Sequence, residues 1–309
     1  ITGNIGRKGV GVNPLRGQNN VQGAADMGCQ PHQGAGYFPV DKTENQKFYT
    51  EKYGVTHPTK AGLKIPQMFE AAISKELKGL WIIGEDIVQT DPNSAHVIEA
   101  MNSLELLVVQ EIFMSETAKL ATVVLPGTTF LEKDGTFTNT ERRIQRVNRA
   151  VPPLPGTKPD GLIVTEMMQK LGFDQPSYDA DQVLEEIADI VPFFKGVTRE
   201  RLGKLGLQWP VKEDGSDTKI LHTEEFKLGK GRLKNFDWKE SSEIEANQKD
   251  YPLILTTSRV LQHYNAATMT RRTKNINIVD EDVLLIHPKD AAYRDLNTGD
   301  IGRLYSGRG

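Results

Sequence analysis

Between residues 66 and 126 the chain alternates short apolar runs with helix-type spacing, and that alternation leaves few folds open. Pro66 suits a first helical position, and Met68, Phe69, Ala72, Ile73 and Leu77 recur at helical intervals up to Gly79, which is placed as a C-terminal cap. Leu80-Trp81-Ile82-Ile83 then reads as a short buried strand. Asp91-Pro92 opens a second helix with Val97, Ile98 and Met101 inside, and Leu106-Leu107-Val108-Val109 reads as a second strand. A third helix capped by Ser115 leads to the strand Thr122-Val123-Val124-Leu125. Strand, helix, strand, helix, strand predicts the α/β class, a parallel sheet wound with right-handed crossovers.

The flanks carry different signals. Residues 1–48 are crowded with Gly, Asn, Gln and Pro and follow neither the helical nor the strand period, which predicts an ordered loop whose glycines admit close backbone approach to a ligand. A flexible linker is the alternative, but linkers favour Ser, Pro and charge. After Pro126 come a β-rich excursion at Gly135-Thr136-Phe137-Thr138-Asn139-Thr140, a Pro-rich joint at 152–156, and helices at about 160–171 and 181–190. The polar stretch 212–250 reads as a linker, and 253–257, 283–286 and 301–305 read as strands of a separate, mostly β domain. The resulting segmentation is 1–48, 49–130, 131–218 and 219–309.

At 309 residues the chain is long enough for about two compact units, and 38% hydrophobic with 26% charged residues is the composition of a globular protein. A formal charge of -3 gives no reason to expect nucleic acid or an anionic membrane as partner, so a bound anion must meet a local site. The single cysteine, Cys29, excludes an internal disulfide, a four-cysteine zinc site and a complete iron-sulfur cluster within the chain. It reads as a small apolar loop residue, and the absence of disulfide signals fits the cytoplasm. The six histidines show no metal-ligand spacing. No apolar run approaches the roughly 20 residues that span a bilayer. The opening Ile1-Thr2-Gly3-Asn4 reads as an internal cut, and the end stops where a hairpin turn should be followed by a second strand.

Ligands of parallel α/β sheets bind outside the carboxyl ends of the strands. There the sequence places Gly84-Glu85-Asp86 with Thr90-Asp91, then Gln110-Glu111, then Pro126-Gly127-Thr128-Thr129. Glycines turn the chain close to a ligand, and carboxylates accept from ribose hydroxyls or guanine N–H groups, so the set suggests a nucleotide. Helix capping is the competing reading for Asp86 and Asp91. Neither G-x-G-x-x-G after a strand nor G-x-x-x-x-G-K-[ST] is present. Arg16 sits among glycines and amides, a setting that suits a pocket for a small planar anion; a surface or carboxylate-paired arginine is the other reading.

The run Gly3-Asn4-Ile5-Gly6-Arg7-Lys8-Gly9-Val10-Gly11-Val12-Asn13-Pro14-Leu15-Arg16-Gly17-Gln18-Asn19-Asn20-Val21-Gln22-Gly23, with Asp26-Met27-Gly28, resembles a signature of molybdenum- or tungsten-dependent formate dehydrogenase catalytic subunits, members of the molybdopterin oxidoreductase superfamily. Further matches follow in order: Gly84-Glu85-Asp86 with Gln89-Thr90-Asp91, Val109-Gln110-Glu111-Ile112-Phe113-Met114, Leu125-Pro126, Phe137-Thr138 with Arg142-Arg143, and Arg259 with His263-Tyr264. The resemblance implies two-electron oxidation of formate to carbon dioxide at a bis-pterin-guanine-dinucleotide centre. Arg16 matches the arginine that orients formate, with Gly17 and Gln18 beside the pterin. Gly84, Glu85, Asp86, Thr90, Gln110, Glu111, Ile112, Gly127 and Asp160 fall where the family binds one dinucleotide. Arg259, Val260, His263 and Asn265 fall where a C-terminal barrel closes over cofactor, so the implied fold is a Rossmann-like sheet followed by a partial β-barrel of double-psi type. The family often carries Asp where Glu111 stands. Its cysteine or selenocysteine metal ligand and the cysteines of its [4Fe-4S] cluster belong to a preceding part of the subunit, so no metal ligand is expected here and the fragment alone should be inactive. The partners implied are that preceding part and electron-transfer subunits. Another molybdopterin oxidoreductase, such as a nitrate reductase, and a non-catalytic nucleotide-binding module are the alternatives.

Overall fold

The computed structural model describes residues 3–226, 228–242, 244 and 248–306. Contacts divide the chain into Ile1–Glu225 and Phe226–Gly309, a boundary inside the polar stretch read as a linker. The residues that mark the two chain ends, Ile1, Thr2 and 307–309, lie outside the described set.

The first unit is built around a parallel sheet of β3 (Gly79–Ile83), β4 (Leu106–Glu111) and β5 (Val123–Pro126), in that order. Helices α3 (Ile65–Ile73), α4 (Ile87–Thr90), α5 (Ser94–Asn102) and α6 (Glu116–Lys119) fill the intervals. Leu107 and Val109 of the central strand are fully buried and pack with Phe69, Ile82, Val97 and Met101. Period 2 turns Val108 and Gln110 to the opposite face. Ser115 caps α6 by accepting from Ala118 N at 3.1 Å, as its position predicts. Gly79 is not the helix cap expected of it. Lys75, at φ 65°, takes the left-handed position, Lys75 N bonds Ala72 O, and Leu77 N bonds Ala71 O, so α3 closes early and Gly79 opens β3.

The rest of the unit packs on a second core of Tyr49, Ile144, Leu184, Phe194 and Leu202 among others. Antiparallel β6 (Gly135–Thr138), β7 (Arg143–Val147) and β8 (Leu207–Gln208) form its sheet, and α7 (Asp160–Lys170) and α8 (Ala180–Ile190) follow the expected helical spans. The segment 1–48 is not all loop: it contains α1 (Val21–Asp26) and a short hairpin of β1 (Gln33–Gly34) and β2 (Phe38–Pro39), and α2 (Thr43–Tyr53) begins within it. The pattern conceals α2 because a single buried aromatic, Tyr49, carries its packing while most of its other positions are polar.

In the second unit the described residues form 3-10 turns at Thr270–Arg272 and Lys274–Asn277 and the short helix α9 (Pro288–Ala292), but no strand. The strands expected at 253–257, 283–286 and 301–305 are absent there, and the described residues form no closed barrel. A strand exists only through ladder bonds to another strand. These runs have no such partner among the described residues, and Ile254, Leu285 and Ile301 stand exposed. No helix among the described residues is long and apolar enough to cross a membrane.

Two outcomes are expected. Leu107→Ala removes the buried side chain at the centre of the sheet and should cost about 2–5 kcal/mol by denaturant unfolding, with an unchanged midpoint counting against β4 as the core strand. Glu132, buried between β5 and β6, accepts from Thr129 N (2.8 Å), Thr129 Oγ1 (2.9 Å) and Leu154 N (2.9 Å). The Thr129 backbone bond, then its hydroxyl, then Leu154 hold this carboxyl below the usual range. A depressed folded-state value gives stability that is present above the ordinary range and is lost as pH falls through the depressed one. Glu132→Gln should therefore lower Tm at pH 7, and the gap to the parent should close as pH drops below about 4.3.

Candidate active site

Because β3, β4 and β5 run parallel and in register, their C-terminal ends open on one edge. Gly84 turns the chain after β3 at φ +64°, a conformation that side chains rarely adopt, and its N–H bonds Gln110 O at 2.9 Å. Gly127 N bonds Glu111 O at 3.0 Å, so all three strand ends are tied together. Asp160, the first residue of α7, reaches the same edge. Its Oδ1 accepts from Gln110 Nε2 at 2.6 Å and its Oδ2 pairs with Lys133. A Cβ at Gly127 would meet Asp160 Oδ1 at 3.4 Å. Asp160 and Lys133 also line a cavity of about 210 Å³ with Phe137, Tyr178 and Leu184. Burial, then the charge of Asp160, pushes the Tyr178 phenol up.

Asp86 is buried, and its Oδ1 accepts from Thr117 N at 3.0 Å and Thr117 Oγ1 at 2.7 Å. The carboxylate therefore holds the start of α6, not the helix that follows it in sequence. Asp86 makes no side-chain cap bond to α4, the helix it precedes. Its other oxygen, Oδ2, is buried without a hydrogen-bond partner among the described residues, and so are Gln110 Oε1 and Thr128 Oγ1. Asp91 serves a local turn, accepting from Asn93 N at 3.3 Å. Exposed Glu85 and Thr90 bond each other at 2.8 Å, and Glu111 Oε1 accepts from Ile112 N at 2.7 Å.

Arg16, Gly17 and Gln18 lie exposed ahead of α1. Arg16 forms no ion pair among the described residues; its Nη2 donates to Gln22 Oε1 at 3.1 Å. Gln22 Nε2 in turn donates to Asp26 Oδ1 at 2.8 Å and to Tyr37 Oη at 2.8 Å, while the Tyr37 hydroxyl donates to Asp26 Oδ1 at 2.7 Å. Trp209 Nε1 completes the set by donating to Asp26 Oδ2 at 3.0 Å. Burial pushes the Asp26 carboxyl up, against the lowering effect of these bonds and of Arg16. Sequence reading singled out none of Gln22, Asp26, Tyr37 and Trp209 as site residues. The four-residue spacing of Gln22 and Asp26 is a helical-neighbour signal that was available; the separation of 183 positions between Asp26 and Trp209 hides the last contact.

In the second unit, Arg259 Nη1 donates to Asn265 Oδ1 at 2.7 Å, and Val260 is exposed. His263 is buried with Nε2 2.6 Å from Val279 O and Nδ1 3.0 Å from Thr270 Oγ1. Nε2–H donating to the carbonyl and the threonine hydroxyl donating to Nδ1 satisfies both, and leaves that hydroxyl oxygen to accept from Tyr264 N at 3.2 Å. Both ring nitrogens are thus engaged in the unit's own turn.

The family described as molybdopterin oxidoreductase matches residues 1–170, and the molydopterin dinucleotide binding domain matches 253–309. The chain belongs to the molybdopterin oxidoreductase family. It is 44% identical over its full length to the F420-dependent formate dehydrogenase subunit alpha of Methanocaldococcus jannaschii, covering 46% of that protein. Over 99% of its length it is 40% identical to a probable oxidoreductase, YjgC, of Bacillus subtilis, covering 31% of that protein. The chain thus spans less than half the length of these curated relatives. Among solved structures, acetylene hydratase from Pelobacter acetylenicus shares the fold over 82% of this chain and 38% of its own, with a TM-score of 0.57 at 21% identity.

The strand-end residues fit a molybdopterin-type dinucleotide. Buried acceptors without partners cost free energy unless a donor reaches them, and Asp86 Oδ2, Gln110 Oε1 and Thr128 Oγ1 are matched in chemistry to ribose hydroxyls and guanine N–H groups. Asp86→Ala should cost about 1–3 kcal/mol by leaving the Thr117 donors unpaired. Asp86→Asn keeps one acceptor for Thr117, so it should retain most stability and lose dinucleotide content in the assembled subunit. Equal stability of the two variants would remove the assignment of Oδ1 to α6.

Proposed function

We propose that the chain is part of the catalytic subunit of a formate dehydrogenase, which oxidises formate to carbon dioxide. When bound, a molybdenum or tungsten centre held by two pterin guanine dinucleotides supplies the two-electron chemistry. The observation that carries the reading is the state of Arg16: its guanidinium is exposed and held by a neutral amide, so its charge is left for an anion. The names of the full-length relatives support formate as that anion.

Formate offers a carboxylate and one hydrogen, so charge-assisted hydrogen bonds must supply nearly all its affinity. In this reading the Arg16 fork takes both carboxylate oxygens and presents the hydrogen in one orientation, lowering the entropic part of the barrier. Gly17 and Gln18 line the pterin side. Gly84, Glu85, Asp86, Thr90, Gln110, Glu111, Ile112, Gly127 and Asp160 hold one dinucleotide, with Glu111 reaching ribose by a longer side chain than the usual Asp. Arg259, Val260, His263 and Asn265 contribute to cofactor from the second unit; since both His263 ring nitrogens are engaged, its contribution is to fix the turn. A [4Fe-4S] cluster in another part of the subunit and electron-transfer subunits complete the assembly, and without them the fragment is inactive.

Arg16→Lys keeps the charge and loses the planar fork. In the holoenzyme it should raise KM for formate and slow turnover with metal and pterin content unchanged, and Arg16→Ala should do so more strongly. Kinetics within about twofold of the parent for both variants, well under 1 kcal/mol, would rule out Arg16 as the substrate anchor.

A further inference from the structure

We propose that Gln22 and Asp26 are positioning residues for Arg16: the buried Asp26 fixes the Gln22 amide with its oxygen toward the guanidinium, which is thereby oriented without being neutralised. This rests on the reading of Arg16 as the substrate anchor. An amide can present either end, and Gln22 is buried in contact with Arg16 on one side and Asp26 and Tyr37 on the other. An ionised carboxylate only accepts. Asp26 Oδ1 therefore claims the NH2 end of Gln22, and a second proton of that NH2 goes to Tyr37 Oη, whose own hydroxyl closes the triangle on Asp26. The amide oxygen is left facing Arg16 Nη2 at 3.1 Å. Trp209 Nε1, just beyond β8, occupies the remaining carboxylate oxygen at 3.0 Å. The polarity of every bond is then set from the buried end outward.

The amide matters as much as its direction. A carboxylate directly against Arg16 would form a charge-paired fork and compete with an anionic substrate for the same donors. Here the Asp26 carboxylate stands behind the neutral amide of Gln22, which lies between it and Arg16.

The test uses the full-length holoenzyme, with kcat and KM for formate, calorimetric affinity for nitrate as a planar monoanion with no transferable hydrogen, and Tm with cofactor content as controls. Gln22→Glu preserves a partner for Arg16 but adds the competing charge. It should raise formate KM and weaken nitrate by about tenfold or more, the scale of a lost outer partner. Gln22→Met, close in shape but without polar atoms, should weaken both by a smaller factor, with kcat falling less than KM rises. Asp26→Asn frees the amide to turn and should reproduce the Gln22→Met pattern in KM and nitrate affinity. If Gln22→Glu and Gln22→Met fold with full cofactor and leave both formate KM and nitrate affinity within about twofold, while Arg16→Lys still raises KM, the positioning role is wrong and the anchor stands. If Arg16→Lys is also silent, it is the anchor that fails.

Discussion

The parallel run of β3, β4 and β5 is the constraint from which the site follows. Burial of Leu107 and Val109 in the central strand fixes the register by facing them into the core, because a one-residue slip would turn them to the other side. Once the register is fixed, all three strands end on one edge, and residues from 84, 110 and 127 become neighbours. Gly84 is then required for a left-handed turn, whereas Gly127 lies beside Asp160 at a distance a Cβ could meet in ordinary contact. The acceptors at Asp86, Gln110 and Thr128, unpaired among the described residues, are a local cost at the same edge.

A second centre organises the segment that carries Arg16. Burying the Asp26 carboxylate is costly, and the donors of Gln22, Tyr37 and Trp209 offset that cost only if all three converge. Their convergence joins α1 to the loop before β2 and to the chain beyond β8. Asn20 adds a further tie, its side chain accepting from Thr138 N at 2.9 Å. The glycine- and amide-rich stretch is thereby anchored at its end while residues 11–19 stay exposed.

The second unit obeys the opposite logic. Its apolar runs have strand-type composition, yet composition supplies no ladder partner, and the described residues settle into short turns held by His263, Thr270 and Asn275. The dinucleotide-binding match over 253–309 thus concerns a sequence whose strand-type runs are unpaired among these residues.

What the sequence by itself determined was local or periodic. The three strands between 79 and 126, the cap at Ser115, the helices near 160 and 180, and the identity of the strand-end residues all follow from spacing and side-chain chemistry within a few positions. The Arg16 motif was legible as a resemblance because its run is long. Tertiary structure alone decided which oxygen of Asp86 holds α6, that Asp160 meets both Gln110 and Lys133, and that Asp26 meets Trp209. It also decided that Tyr49 anchors a helix in a stretch without periodicity, and that 253–257 forms no strand. The physical reason is common to these cases: a buried polar group or an unpaired strand is satisfied or left wanting by a partner distant in sequence, and no local pattern records where that partner lies.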